Sequence, residues 1–173
     1  TFSRKERNNS ENMSKKSIIF FDIDGTIVTE DGSLTIPEST VEAIAKAREN
    51  GHYTFVNSGR TLFNINSKVR SLGFDGIICG CGTYIEMNGE VLLYNALKQD
   101  FCRKIAEFIR TTGVTPVYEH KDGYFFDDFS PKTADLEDFL VTFVEENIPV
   151  DRRVEDAEFI FDKFVIWENP QCD

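Results

Sequence analysis

Short apolar runs alternate with longer amphipathic stretches along the first half of the chain, and this alternation sets the frame. Ser17 to Ile23 places Ile18, Ile19, Phe20 and Phe21 in succession, apolar on both faces, which predicts a central parallel strand covered by helices on each side. Pro37 suits a first helical position, Val41, Ile44 and Ala45 recur at helical spacing, and Gly51 stops that helix after Asn50. His52 to Asn57 predicts a second strand, Leu62 to Leu72 a second helix closed by Gly73, and Gly76 to Cys79 a third strand. The resulting β-α-β-α-β order, with right-handed crossovers, builds an open α/β parallel sheet whose ligands bind beyond the carboxyl ends of its strands.

After Gly82 the period changes. Tyr84 to Met87 and Glu90 to Tyr94 flank Asn88-Gly89, a two-residue hairpin signal. A second unit follows, with a helix over Asp100 to Thr112, strands at Thr115 to His120 and Tyr124 to Phe129, a helix over Ala134 to Glu146 and a strand at Asp162 to Trp167. Three segments are therefore expected: a disordered polar leader over 1–15, with Met13 as a plausible true start, a parallel-sheet unit with its hairpin over 16–95, and a smaller α+β unit over 96–173. The chain stops at Cys172-Asp173 straight after an apolar strand, with no return to the first sheet, so the expectation is an incomplete sequence. Tyr124, Phe125 and Phe126 are expected in the core of the second unit, with Asp127 and Asp128 as a solvated strand end.

Composition narrows the partners. Nineteen basic against 30 acidic residues give a formal charge of −11, which repels nucleic acid and an anionic membrane surface alike. No apolar run is long enough for a membrane span and the amino-terminal stretch has no signal-peptide core, so a cytoplasmic location is expected. Cys79, Cys81, Cys102 and Cys172 have neither zinc-ribbon nor redox spacing and read as reduced thiols. His52 and His120 sit in no metal-ligand spacing.

The informative residues are Asp22-Ile23-Asp24-Gly25-Thr26, where the first strand ends. In isolation the tetrapeptide is as well explained as an acidic surface turn. At the exit of a buried strand, however, two carboxylates two residues apart converge on one small volume. At a separation of ~4 Å their repulsion is about 4 kcal/mol for an effective dielectric near 20. A bound hard cation or a shared proton would offset it, and a magnesium ion (Mg2+), which takes one or two carboxylates plus a substrate phosphate, fits better than caged calcium. The second strand ends in Asn57-Ser58-Gly59-Arg60, where a hydroxyl, a glycine amide and a predicted helix start make a candidate anion site. Arg60 reads equally as a phosphate ligand or as a surface charge.

With these two motifs in place the chain resembles the haloacid dehalogenase (HAD) superfamily of phosphatases, in its Cof-like, subclass IIB branch, from roughly Lys16 to the end. The resemblance implies a HAD-like Rossmannoid core, here partial, with an inserted α+β cap. It implies Asp22 as a nucleophile forming an aspartyl phosphate, Asp24 as acid and base, Ser58 at the phosphate, and Mg2+ on Asp22 and on Asp24 through its backbone carbonyl; Gly59 and Arg60 remain phosphate-binding candidates from the strand-end reading alone. A small phosphorylated metabolite, such as a sugar phosphate, flavin mononucleotide or pyridoxal phosphate, is the implied substrate. Two departures stand out: Cys81-Gly82 occupies the place of the family's Asn-Gly after the third strand, and the family's phosphate-binding Lys and Gly-Asp-x-x-Asn-Asp loop are absent. The expectation is that the 173-residue chain alone lacks useful activity while its full-length parent is a phosphatase. Alternatives are a phosphomannomutase-like phosphotransferase and a non-catalytic phospho-ligand-binding remnant. A receiver-type phospho-acceptor is disfavoured, because the third strand ends Ile77-Ile78-Cys79-Gly80 without an Asp.

Overall fold

The computed structural model describes residues 16–31, 33, 35–145 and 147–168. The expected leader and Cys172 lie outside these residues. Strand β1 (Ile18–Phe21) runs parallel to β2 (Tyr53–Asn57), which runs parallel to β3 (Gly76–Cys79), with Ile18 opposite Tyr53 and Phe55 opposite Gly76. Helix α1 (Glu38–Glu49) makes the first crossover: Pro37 sits at its N-cap, and Gly51 follows it with φ +82°. The hairpin β4 (Tyr84–Met87) and β5 (Glu90–Tyr94) continues this sheet antiparallel to β3, giving the order β1-β2-β3-β4-β5. Asn88 and Gly89 both take positive φ at its turn, as a two-residue loop between right-twisted strands requires.

Among the described residues only β2 pairs with β1, Ile18 and Phe20 are 56% and 52% exposed, and the strand's double-sided apolar pattern is covered on one face. One expectation is corrected here. The helix expected over 62–72 is broken into a 3₁₀ turn, Leu62–Asn64, and a single helical turn α2, Ser67–Arg70, separated by extended Ile65. The reason is local: the Asn66 side chain accepts a hydrogen bond from Val69 N at 2.9 Å, so it starts a new helix where the old one would have continued.

The second sheet has the order β7-β6-β8, all antiparallel, from β6 (Thr115–His120), β7 (Gly123–Phe126) and β8 (Lys163–Trp167). Alternation along the strands supplies both faces. Tyr118 and Phe125 pack with Cys102, Ala106 and Ile109 of helix α3 (Gln99–Arg110). Val117, Tyr124 and Phe126 pack with Leu136 and Phe143 of helix α4 (Ala134–Glu145). Thr133 opens α4 by accepting from Leu136 N. Phe125 and Phe126 are core residues, as expected, but Asp127 is not solvated. Its carboxylate is fully buried and takes a two-pronged pair from Arg110, at 2.7 and 2.8 Å, because the last turn of α3 ends beside the exit of β7. Asp128 is exposed and pairs with Arg153.

Candidate active site

The aim of the two aspartates is set by the residue between them. Ile23 is 1% exposed in the core beneath the sheet, and its carbonyl accepts from the amides of Thr26, Ile27 and Val28 at 3.2, 2.9 and 3.0 Å. With Ile23 pinned inward, Asp22 and Asp24 are both exposed on the solvent side at the carboxyl end of β1. Gly25 turns the chain away at φ +70°, where a side chain would also run into Glu30.

The neighbouring strand delivers the second motif to the same end. Ser58 follows β2 and is 7% exposed, with its amide on Ile78 O at 3.0 Å and its Oγ accepting from Arg60 N at 3.2 Å. Gly80 N donates to Arg60 O at 2.7 Å, which ties this turn to the end of β3. No long helix starts here, so the helix-dipole part of the expected anion site is withdrawn; a hydroxyl, turn amides and a guanidinium remain.

Arg60 crosses to the first motif. Its Nη2 and Nε donate to the two Asp24 oxygens at 2.6 and 3.0 Å, a fork on a carboxylate. The charge balance expected from a cation or a shared proton is thus supplied by a side chain. Asp22, by contrast, makes no hydrogen bond or ion pair among the described residues. Among the described residues no three His, Cys, Asp or Glu side chains gather as a metal cluster. What the loop offers a hard ion is therefore oxygen alone: the unengaged Asp22 carboxylate and the Asp24 carbonyl, to which no main-chain hydrogen bond of the described residues is directed. That donor set fits magnesium, which keeps waters for its other positions.

Cys81, in the family's Asn position, has φ 57°, a conformation that Asn and Gly adopt at lower cost. Its Sγ lies 3.8 Å from Gly59 O. Burial pushes the neighbouring Cys79 thiol up to about 12, leaving it inert.

Sequence reading missed the residues that join the two sheets. Glu119 of β6, 5% exposed, pairs with Lys163 Nζ at 3.3 Å, accepts from Asn64 Nδ2 at 2.7 Å and from Thr61 Oγ1 at 3.4 Å. Lys163 also reaches Gly59 O at 3.3 Å, and the Tyr124 hydroxyl donates to Asn64 Oδ1. The partners of Glu119 in the first unit lie 55 and 58 positions away, and Lys163 lies 104 from Gly59, so no local pattern announces the contact.

Parallel strands feeding two carboxylates and a Ser-Gly-Arg turn to one sheet end match a Rossmann-type α/β fold of the haloacid dehalogenase kind. The chain belongs to the haloacid dehalogenase-like hydrolase family, whose pattern it matches over residues 19–170. Over 88 residues it is 35% identical to YkrA of Bacillus subtilis, described as a candidate phosphatase; that stretch is 51% of this chain and 34% of YkrA. It is similar to a solved HAD subclass IIB sugar phosphatase with a TM-score of 0.62 at 28% identity, over 80% of this chain and 52% of the other. A Geobacillus kaustophilus protein gives 0.60 at 27% identity, over 79% of this chain and 52% of the other. The chain thus spans about half the length of these solved structures and, in the matched stretch, about a third of YkrA.

Proposed function

We propose that these residues form the nucleophile-bearing part of a magnesium-dependent phosphate-monoester hydrolase, and that the unit from about residue 96 onward is its cap. The observation that carries this reading is the inward Ile23, which turns Asp22 and Asp24 outward together beside the Ser58 turn. Spontaneous hydrolysis of phosphate monoesters is among the slowest of reactions, so a covalent intermediate and charge neutralisation both serve it. Magnesium on the Asp22 carboxylate and the Asp24 carbonyl would supply charge neutralisation at the phosphoryl oxygens.

The chain's own groups divide the remaining work. An Asp22 oxygen attacks phosphorus, and the P–O ester bond breaks with its electron pair leaving on the alcohol oxygen, which takes a proton from Asp24. Asp24 then takes a proton from water, whose oxygen attacks phosphorus, releasing orthophosphate and restoring the Asp22 carboxylate. Both Asp24 oxygens accept from Arg60, and that fork has to open before either can meet the leaving-group oxygen. A dianionic phosphate competes for the same guanidinium, so substrate binding releases Asp24 at the moment a proton is needed. The Ser58 hydroxyl, accepting from Arg60 N, keeps its own hydrogen for a phosphoryl oxygen.

The test is Asp22→Asn in the longest form of the protein that turns over 4-nitrophenyl phosphate with Mg2+. Turnover is expected to fall at least 1,000-fold with the far-UV CD spectrum unchanged, on the scale of other catalytic-residue losses; activity within tenfold of the parent overturns the nucleophile assignment.

A further inference from the structure

A cleft of about 710 Å³ opens beside Arg60 between the two sheets, far larger than a phosphate needs and within the range of small-molecule sites. Its walls are aromatic: Phe63 from the 3₁₀ turn, Tyr124 from β7, Phe139 and Phe143 from α4, and Trp167 from β8. Phe63 stands edge-on to Tyr124 at 5.6 Å, Phe139 lies 5.3 Å from Trp167, and Tyr124 lies 4.5 Å from Phe143. Two of the polar side chains in the same wall, Glu119 and Asn64, are already engaged with one another and with their neighbours. Glu119 has both oxygens on Lys163, Asn64 and Thr61, and Asn64 uses its amide nitrogen on Glu119 and its oxygen on the Tyr124 hydroxyl. The Asn66 oxygen caps α2.

A sugar ring would bring several hydroxyls into this cleft, and each would lose water against groups already bonded to one another. A flat aromatic ring loses little and meets ring faces and edges. Arg60, a cation in the cleft's lining, complements the phosphate of the same ligand. We propose that the cleft selects phosphate monoesters whose leaving group is aromatic, with the ring among Phe63, Phe139 and Trp167 and the phosphate at Arg60 and Ser58. This deepens, and rests on, the phosphatase reading of the site.

Trp167 is the sole tryptophan of the chain, so its fluorescence reports on the cleft directly. The 173-residue chain is titrated with phenyl phosphate, glucose 6-phosphate and orthophosphate, following Trp167 emission for the first two and heat for all three. Phenyl phosphate is expected to shift the emission and to bind at least tenfold more tightly than glucose 6-phosphate. That ratio is expected to fall at least threefold in Phe63→Leu, which keeps an apolar side chain but removes the ring. Equal or tighter binding of glucose 6-phosphate, or an unchanged ratio in Phe63→Leu, overturns the aromatic preference while leaving the phosphatase reading standing. Orthophosphate binding that is absent, or indifferent to Arg60→Ala, overturns the phosphoryl site and with it this inference.

Discussion

At Ile23 a substitution acts on stability and chemistry together, because the side chain is 1% exposed in the core while both of its neighbours are the candidate catalytic aspartates. Ile23→Ala is expected to cost about 2–4 kcal/mol in urea unfolding through the cavity it leaves, and to weaken Mg2+ binding measured calorimetrically, since the two carboxylates lose their fixed aim. Arg60→Lys is a gentler probe. The Arg60–Asp24 pair is 26% and 58% exposed, so its loss is expected to change stability by less than about 1 kcal/mol. Orthophosphate affinity is nevertheless expected to drop about tenfold, because an ammonium cannot present a planar fork; calorimetry on the variant checks both numbers. Asp22, Asp24, Ser58 and Arg60 were all legible in the sequence as candidates, since strand ends in an α/β order say where ligands bind. Their pairing was not: the Asp24–Arg60 fork spans 36 positions and depends on β1 and β2 lying side by side in register. Asp127 shows the same limit, since an acid after a strand reads as solvated until the end of α3 is seen to place Arg110 over it.

Among the elements, those with strong periodic or turn signals were read to within a residue or two: α1, the Asn88-Gly89 hairpin, β6 and α4. The helix expected over 62–72 failed because apolar spacing says nothing about a competing cap, and Asn66 supplies one. The end of β5 carries a pH consequence. Tyr94 OH lies 2.9 Å from His120 Nε2, and Asp162, whose carboxyl is held above its ordinary 3.8 by burial, shares the same pocket. Burial is also the main cause that pushes His120 below its ordinary 6.5. The unfolded chain therefore accepts a proton that the folded chain refuses, and the His120 contribution to stability is lost as pH falls below about 6.5. Asp162 works in the opposite sense, binding its proton more tightly when folded, so its contribution declines as pH rises from 3.8. Subtracting the thermal melting profile of His120→Gln between pH 5 and pH 7.5 isolates the histidine: the parent is expected to gain stability with pH more steeply than the variant, and parallel profiles would refute the assignment.

Across the whole molecule, the two sheets are joined by several side-chain contacts, with the buried Glu119 carboxylate at their centre, as well as through the chain at 95–98. Glu119→Ala leaves Lys163 and Asn64 without their shared partner, and is expected to lower stability by about 2–3 kcal/mol and to raise proteolytic cutting at 95–98. Equal cutting rates in parent and variant would show that the cluster does not hold the units together. The described architecture also leaves β1 with one flank bare, Ile18 and Phe20 standing out from it. Such a rim behaves as a template: its unclaimed main-chain amides and carbonyls accept any extended peptide that comes alongside, and the greasy side chains reward contact without regard to sequence. For the 173-residue chain, light scattering is therefore expected to register rising particle mass with concentration, and Phe20→Lys is expected to suppress it.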